Sequence, residues 1–176
     1  GRSVLFTLRQ TDLEADRGRT DLWMVNADGG DLHQLTTHAA SESNGRWSPN
    51  GKSIWFLSTR SGSSQVWRLP VDAGGEAVQV TDLPLDVAAL EIAPDGETLV
   101  FALEVFPDCD SIACTTARLA DVAARRTSAR TYDRLPMRHW DAWRDGRRNH
   151  LFSLKVSGGD PIDLMKGMDV DAPSRP

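Results

Sequence analysis

Two stretches decide the fold: Ser48-Pro49-Asn50-Gly51-Lys52-Ser53-Ile54-Trp55-Phe56-Leu57 and its echo, Ala93-Pro94-Asp95-Gly96-Glu97-Thr98-Leu99-Val100-Phe101-Ala102. Each reads as a tight turn feeding an apolar strand. Asn-Gly and Asp-Gly are strong hairpin signals because both residues tolerate positive φ. The strand after the turn is apolar on both faces, the pattern of a strand covered on two sides. Gly1-Arg2-Ser3-Val4-Leu5-Phe6-Thr7-Leu8 is the same element with its front missing. The aligned glycines are Gly1, Gly51 and Gly96.

A second element follows each of these. Asp21-Leu22-Trp23-Met24-Val25 precedes Asp28-Gly29-Gly30, then Leu32 to Thr36. Gln65-Val66-Trp67-Arg68-Leu69 precedes Ala73-Gly74-Gly75, then Ala77 to Thr81. His150-Leu151-Phe152-Ser153-Leu154 precedes Ser157-Gly158-Gly159, then Ile162 to Leu164. This reads as a third strand, a glycine turn and a short fourth strand. Four antiparallel strands repeating every 40–50 residues define a propeller blade, which buries its faces against its neighbours. The expected fold is all-β, a partial β-propeller of about three four-stranded antiparallel blades. The blades are expected at 1–36, 46–81 and 91–164, with 168–176 opening another. The glycine turns are read as plain hairpins, since no helix pattern follows them and no Gly-x-Gly-x-x-Gly occurs.

Composition narrows the function. The chain has 176 residues, 40% hydrophobic and 26% charged, with a net charge of −5. These are globular values, and no apolar run is long enough to form a membrane-spanning helix. The acidic balance argues against a dedicated nucleic-acid binder. Two cysteines cannot make a disulfide-rich scaffold.

The order Ser-Pro-Asn-Gly-Lys, Gln-Val-Trp, Gly-Gly-Glu, Gln-Val-Thr resembles the TolB/WD40-like repeats of periplasmic TolB-type propellers. It also resembles the propellers of the prolyl oligopeptidase family of serine peptidases. Glu104-Val105-Phe106-Pro107-Asp108-Cys109, continuing to Cys114, looks like an insertion in bacterial members. Tyr132-Asp133-Arg134-Leu135 and Arg138-His139-Trp140-Asp141 look like segments of the dipeptidyl-peptidase V and acylaminoacyl-peptidase branch. The resemblance implies an N-terminal propeller set over a C-terminal α/β-hydrolase domain, which carries a Ser-Asp-His triad. The propeller would gate and position short peptides. The implied partners are the chain's own hydrolase domain and a short peptide substrate, with no nucleic acid, no membrane and no cofactor.

No catalytic set is expected in this segment. The nearest approach to a nucleophile elbow is Gly62-Ser63-Ser64-Gln65-Val66, which lacks the second glycine and the strand-then-helix setting. The 176 residues alone are therefore expected to be inactive. Metals find no ligand set either. Cys109 and Cys114 are far in sequence from His139 and His150, and neither Asp108-Cys109-Asp110 nor Asp169-Val170-Asp171 continues as a calcium loop. The two cysteines suit a local disulfide, with free thiols as the alternative. A disulfide favours a periplasmic or secreted location, and free thiols a cytoplasmic one.

The third repeat departs from the others. Trp23 to Trp67 spans 44 residues, whereas Trp67 to Phe152 spans 85. An insertion is expected at roughly 104–149, between the second and third strands of that blade. From 118 to 148 it holds nine Arg, no Lys and four Asp. Arg grips carboxylates with two parallel hydrogen bonds, and aromatic–Arg mixtures are common at recognition sites. The candidate substrate- or partner-binding residues are Glu104, Arg138, His139, Trp140, Trp143 and Arg144. The competing reading is an excursion that packs its tryptophans on its own blade. Thr115 to Ala124 is expected to be helical, with Leu119 and Val122 on one face. A TolB-like binding module without catalysis is the alternative function. A nucleic-acid patch built on the Arg cluster is the weakest reading. The isolated segment, with uncovered blade faces, is expected to self-associate.

Overall fold

The computed structural model describes residues 1–71, 74–127, 138–139 and 142–173. The chain begins with a three-stranded antiparallel sheet, β1 (Ser3–Asp12), β2 (Arg17–Asn26) and β3 (His33–Gln34). A second sheet holds β4 (Glu42–Trp47), β5 (Ser53–Ser58), β6 (Gln65–Pro70) and β7 (Val78–Gln79), in that order. The third holds β8 (Val87–Ile92), β9 (Thr98–Val105), β12 (Arg148–Lys155) and β13 (Ile162–Asp163). Between β9 and β12 lie α1 (Ile112–Ala123) and a two-stranded ribbon of β10 (Arg138–His139) and β11 (Ala142–Trp143). These are antiparallel blades, with one helix among the described residues, and β4 and β8 start four residues ahead of the turn-based 46 and 91.

The doubly apolar strands are explained by two cores. β5 is buried at all six positions. Its side chains alternate: Ile54 and Phe56 pack with Leu22, Leu5 and Leu35 of the first sheet. Trp55 and Leu57 pack with Leu85, Leu90 and Phe101 toward the third. A period of two thus supplies one residue to each interface in turn. The blade's outer strands are only two residues long, which leaves little unpaired edge to recruit another chain.

The turns work differently from the expectation. Gly51 and Gly96 both have φ of +70°, but Asn50 and Asp95 are not among the positive-φ residues. The Gly51 amide donates to the Ser48 carbonyl and the Gly96 amide to the Ala93 carbonyl. Pro49 and Pro94 therefore sit where a type I turn wants fixed φ, and glycine alone takes the left-handed position that follows. Asn50 and Asp95 act through their side chains. Asn50 accepts from the Lys52 amide at 3.0 Å, and Asp95 from the Glu97 amide at 2.8 Å. These bonds hold the Asp95 carboxyl below its ordinary range, led by the Glu97 amide.

One polar position recurs inside the blades. Asp21, Gln65 and His150 occupy the same place in the third strand of each repeat, and all are fully buried. Gln65 Nε2 donates to the carbonyls of Leu83 and Leu85, while its Oε1 accepts from Thr81 Oγ1 and the Leu83 amide. It pins the linker that leads into the next blade. Next to it, Thr81 accepts from the Val66 amide, as Thr36 does from Leu22.

Candidate functional site

The chemistry-bearing residues gather at one end of the third blade, where β9 ends and β12 begins. Pairing runs Glu104 against Asn149 and Val105 against Arg148, so the insertion leaves and returns at neighbouring points. It begins with Pro107 and a turn in which the Cys109 amide donates to the Phe106 carbonyl. Cys109 and Cys114 are joined by a disulfide. Ser111 caps α1, its Oγ accepting from the Cys114 amide, which satisfies one of the free donors at a helix start. The helix starts three residues earlier than its alanine-rich stretch indicates. Ile112 and Leu119 face the blade core, while Val122 is exposed.

Arg118 fastens the helix back to the blade. Its two terminal nitrogens reach both oxygens of Asp108 at 2.8 and 2.9 Å, and its guanidinium lies over the Phe106 ring. The arginine holds the Asp108 carboxyl below the ordinary carboxylate range, and its own proton is held more tightly in return.

Glu104, in β9, is paired with Arg147 at 3.2 Å, and Arg147 also reaches Asp145 at 2.7 Å. Arg144 pairs with Asp171 at 3.5 Å, and Arg148 with Asp169 at 2.8 Å. The Asn149 amide donates to Asp171, and the Ala172 amide to the Asn149 carbonyl. His150 closes the set from inside: Nδ1 is 3.0 Å from Asp163 Oδ2, and Nε2 is 2.9 Å from the Met168 carbonyl. The arrangement moors residues 163–172 to the start of β12. Chemically it is a lattice of arginine–carboxylate pairs.

Four of the insertion's arginines, 118, 144, 147 and 148, are therefore engaged by carboxylates of this same blade. Arg138 pairs with Trp143 and His139 with Ala142 in the β10–β11 ladder, which places those backbones in one hairpin. Trp140, Asp141 and the Tyr132–Leu135 motif lie outside the described residues. Among the described residues, Glu104 and Arg144 are each paired, but with different partners: Arg147 and Asp171.

Sequence reasoning passed over two pairs. Arg60 bonds Glu42 in the buried end of the second blade and lies over the Trp67 ring at 4.8 Å. Burial pulls the Arg60 pKa down from its ordinary value. Arg46 of β4 donates to Glu91 of β8. Neither pair has a local motif, because each joins residues far apart in sequence: Glu42 of β4 with Arg60 in the turn after β5, and Arg46 with Glu91 of the next blade. The buried polar position at 21, 65 and 150 did carry a signal: a polar residue directly ahead of an apolar–aromatic pair, three times over.

Among the described residues, no group of His, Cys, Asp and Glu is arranged to hold a metal ion. A cavity of about 660 Å³ lies at the tip of the β1–β2 hairpin, bounded by residues 10–14, 17–19, Ala39 and Ser41. Its lining mixes Asp12 and Glu14 with Arg17 and Arg19.

Antiparallel blades fanned around shared cores define a β-propeller segment. The TolB β-propeller domain family matches residues 1–126, and the chain belongs to that family. Over its whole length it is 26% identical to Dipeptidyl-peptidase 5 of Porphyromonas endodontalis, of which it covers 25%. Its fold matches an acylaminoacyl peptidase of Pyrococcus horikoshii with a TM-score of 0.64, at 16% identity, covering 93% of this chain and 23% of that one. TolB from Acinetobacter baumannii matches with a TM-score of 0.58 at 17% identity, over 93% of this chain and 30% of that one. The chain thus spans about a quarter of the curated dipeptidyl-peptidase 5 relatives that it matches end to end.

Proposed function

We propose that this chain is the non-catalytic propeller portion of a serine peptidase of the dipeptidyl- or acylaminoacyl-peptidase type. It gates and positions short peptides for an α/β-hydrolase domain on the same polypeptide. The observation that carries this reading is the end-to-end similarity to Dipeptidyl-peptidase 5, which takes in the insertion as well as the repeats. The insertion is the part most suited to contact the hydrolase domain. Four of its arginines are paired with carboxylates of the same blade, which steadies the base of the insertion, and the contact with a partner or substrate is assigned to the segment that carries the β10–β11 hairpin.

The test is the coding frame beyond Pro176. A Gly-x-Ser-x-Gly elbow followed by Asp and His is expected, and the full-length protein should release dipeptides or acylated residues from chromogenic peptides. The 176-residue segment should not. A frame that adds blades and stops without the elbow favours a TolB-like binding module, a reading the family match equally accommodates.

We also infer an exported protein, since the Cys109–Cys114 disulfide persists most readily in an oxidising compartment. Protein purified from its native compartment under alkylating conditions should show no titratable thiol. Two labelled thiols would place it in the cytoplasm.

A further inference from the structure

Arg46 and Glu91 occupy a special place in the fan. β4 and β8 are the end strands of their sheets, and they pack on one another. The opposite end strands, β7 and β13, make no comparable approach among the described residues. The two sheets therefore converge at β4 and β8, the edge that closure of such blades into a ring would turn toward its axis.

At that edge Arg46 Nε and Nη2 both donate to a single oxygen of Glu91, Oε1, at 2.9 and 2.7 Å. Arg46 Nη1 is held by the Gly45 carbonyl at 3.1 Å. The other carboxylate oxygen, Glu91 Oε2, has no partner among the described residues. The side chain of Glu91 is 67% exposed and that of Arg46 is 40% exposed. Arg46 is thus tied on three nitrogens, and Glu91 presents its second oxygen outward.

We propose that Glu91, oriented by Arg46, is a specificity determinant that favours passage of peptides bearing a Lys or Arg side chain over peptides bearing Glu or Asp. This rests on the peptidase reading above. Arg46 is the positioning residue: it fixes the carboxylate and tempers its charge. Where it lines the route that peptides take, a carboxylate raises the local concentration of cations and repels anions, an effect that added salt weakens.

The experiment uses the full-length protein and two peptides of equal length and identical termini, one with Lys and one with Glu away from the scissile bond. The readout is the ratio of their kcat/KM values. The wild type should favour the Lys peptide. E91Q should lower the ratio about fivefold, R46Q should raise it, and the reversed pair R46E/E91R should turn the preference toward Glu. Raising salt to 0.5 M should compress every ratio toward one. A purely structural ion pair would lower the melting temperature of both single variants and leave the ratio unchanged, and that result overturns the proposal. Equal ratios in all four proteins do the same. If the wild type cleaves neither peptide, the peptidase reading itself fails, and the inference with it.

Discussion

The second and third blades are built alike, yet they are joined internally in very different ways. In the second, residues 59–64 connect the middle strands; in the third, residues 106–147 do so. The strand pairing is unaffected by the difference. Phe56 pairs with Trp67 in one blade, and Phe101 pairs with Phe152 in the other. Loop closure explains the tolerance, because its entropy grows only logarithmically; the longer connection costs about 2 kcal/mol more. The insertion offsets that by ordering itself, with a capped helix, a disulfide and an arginine clamp. A blade is therefore specified by its paired strands and its shared faces, and the connection is free to acquire function.

The largest expected effect breaks the shared part. Phe56 and Phe101 hold the same place in their blades, five residues after the turn glycine, and both are fully buried. F101A should destabilise the full-length protein by about 3–5 kcal/mol, and F56A by a similar amount. Phe101 belongs to the larger cluster, which runs from Trp55 through Leu154, so F101A should cost at least as much. Urea unfolding measures both. If F101A proved much milder than F56A, the third blade would be held by its insertion and not by the common core.

The second effect sharpens the comparison at the buried polar position. Gln65 satisfies a linker with a neutral amide, while His150 does so between a carboxylate and a carbonyl. Q65L should cost about 2–4 kcal/mol, because it leaves several buried backbone groups unpaired. H150L should cost a comparable amount and should loosen residues 163–172 specifically. Hydrogen exchange would show this as lost protection at the Leu164, Met168 and Ala172 amides. H150Q, which borrows the second blade's solution, should recover part of the loss. Full protection in H150L would mean that the arginine pairs alone moor that segment.

These elements differ in how far they can be read from the chain. The blades were legible because a turn, a doubly apolar strand and an aromatic third strand recur in fixed order. The Asn50 and Asp95 positions were legible as turns, but their work was misassigned. A dipeptide signal says where a chain reverses, while the division of labour between glycine φ and side-chain acceptor depends on the proline ahead of it. The insertion's helix was visible from its alanines, and its start was not, since Ser111 acts as a cap only once the Cys109 turn brings it round. The arginine-rich stretch was visible as charge. Its partners Asp108, Asp169 and Asp171 were not, because they belong to segments that only the fold brings near.

The smallest effect tests whether the insertion's clamp is independent of the blade. Asp108 is held below its ordinary carboxylate range by Arg118, so the ionised form is favoured in the folded state. Its contribution is fully present above the unfolded carboxyl pKa, about 3.9, and is lost as pH falls through the lower folded value. Both side chains are well exposed, so solvent screening keeps the contribution small. Protection of the α1 amides, taken relative to the intrinsic exchange rate at each pH, should therefore fall below about pH 4 in the wild type, while the β9 and β12 amides stay protected. D108N should remove that acid-dependent part and leave exchange at pH 7 slightly faster than in the wild type. Added salt should reduce the difference between the two proteins. Should the β9 and β12 amides open together with α1, the insertion would be a structural part of the third blade, and the two blades would not share one self-sufficient design.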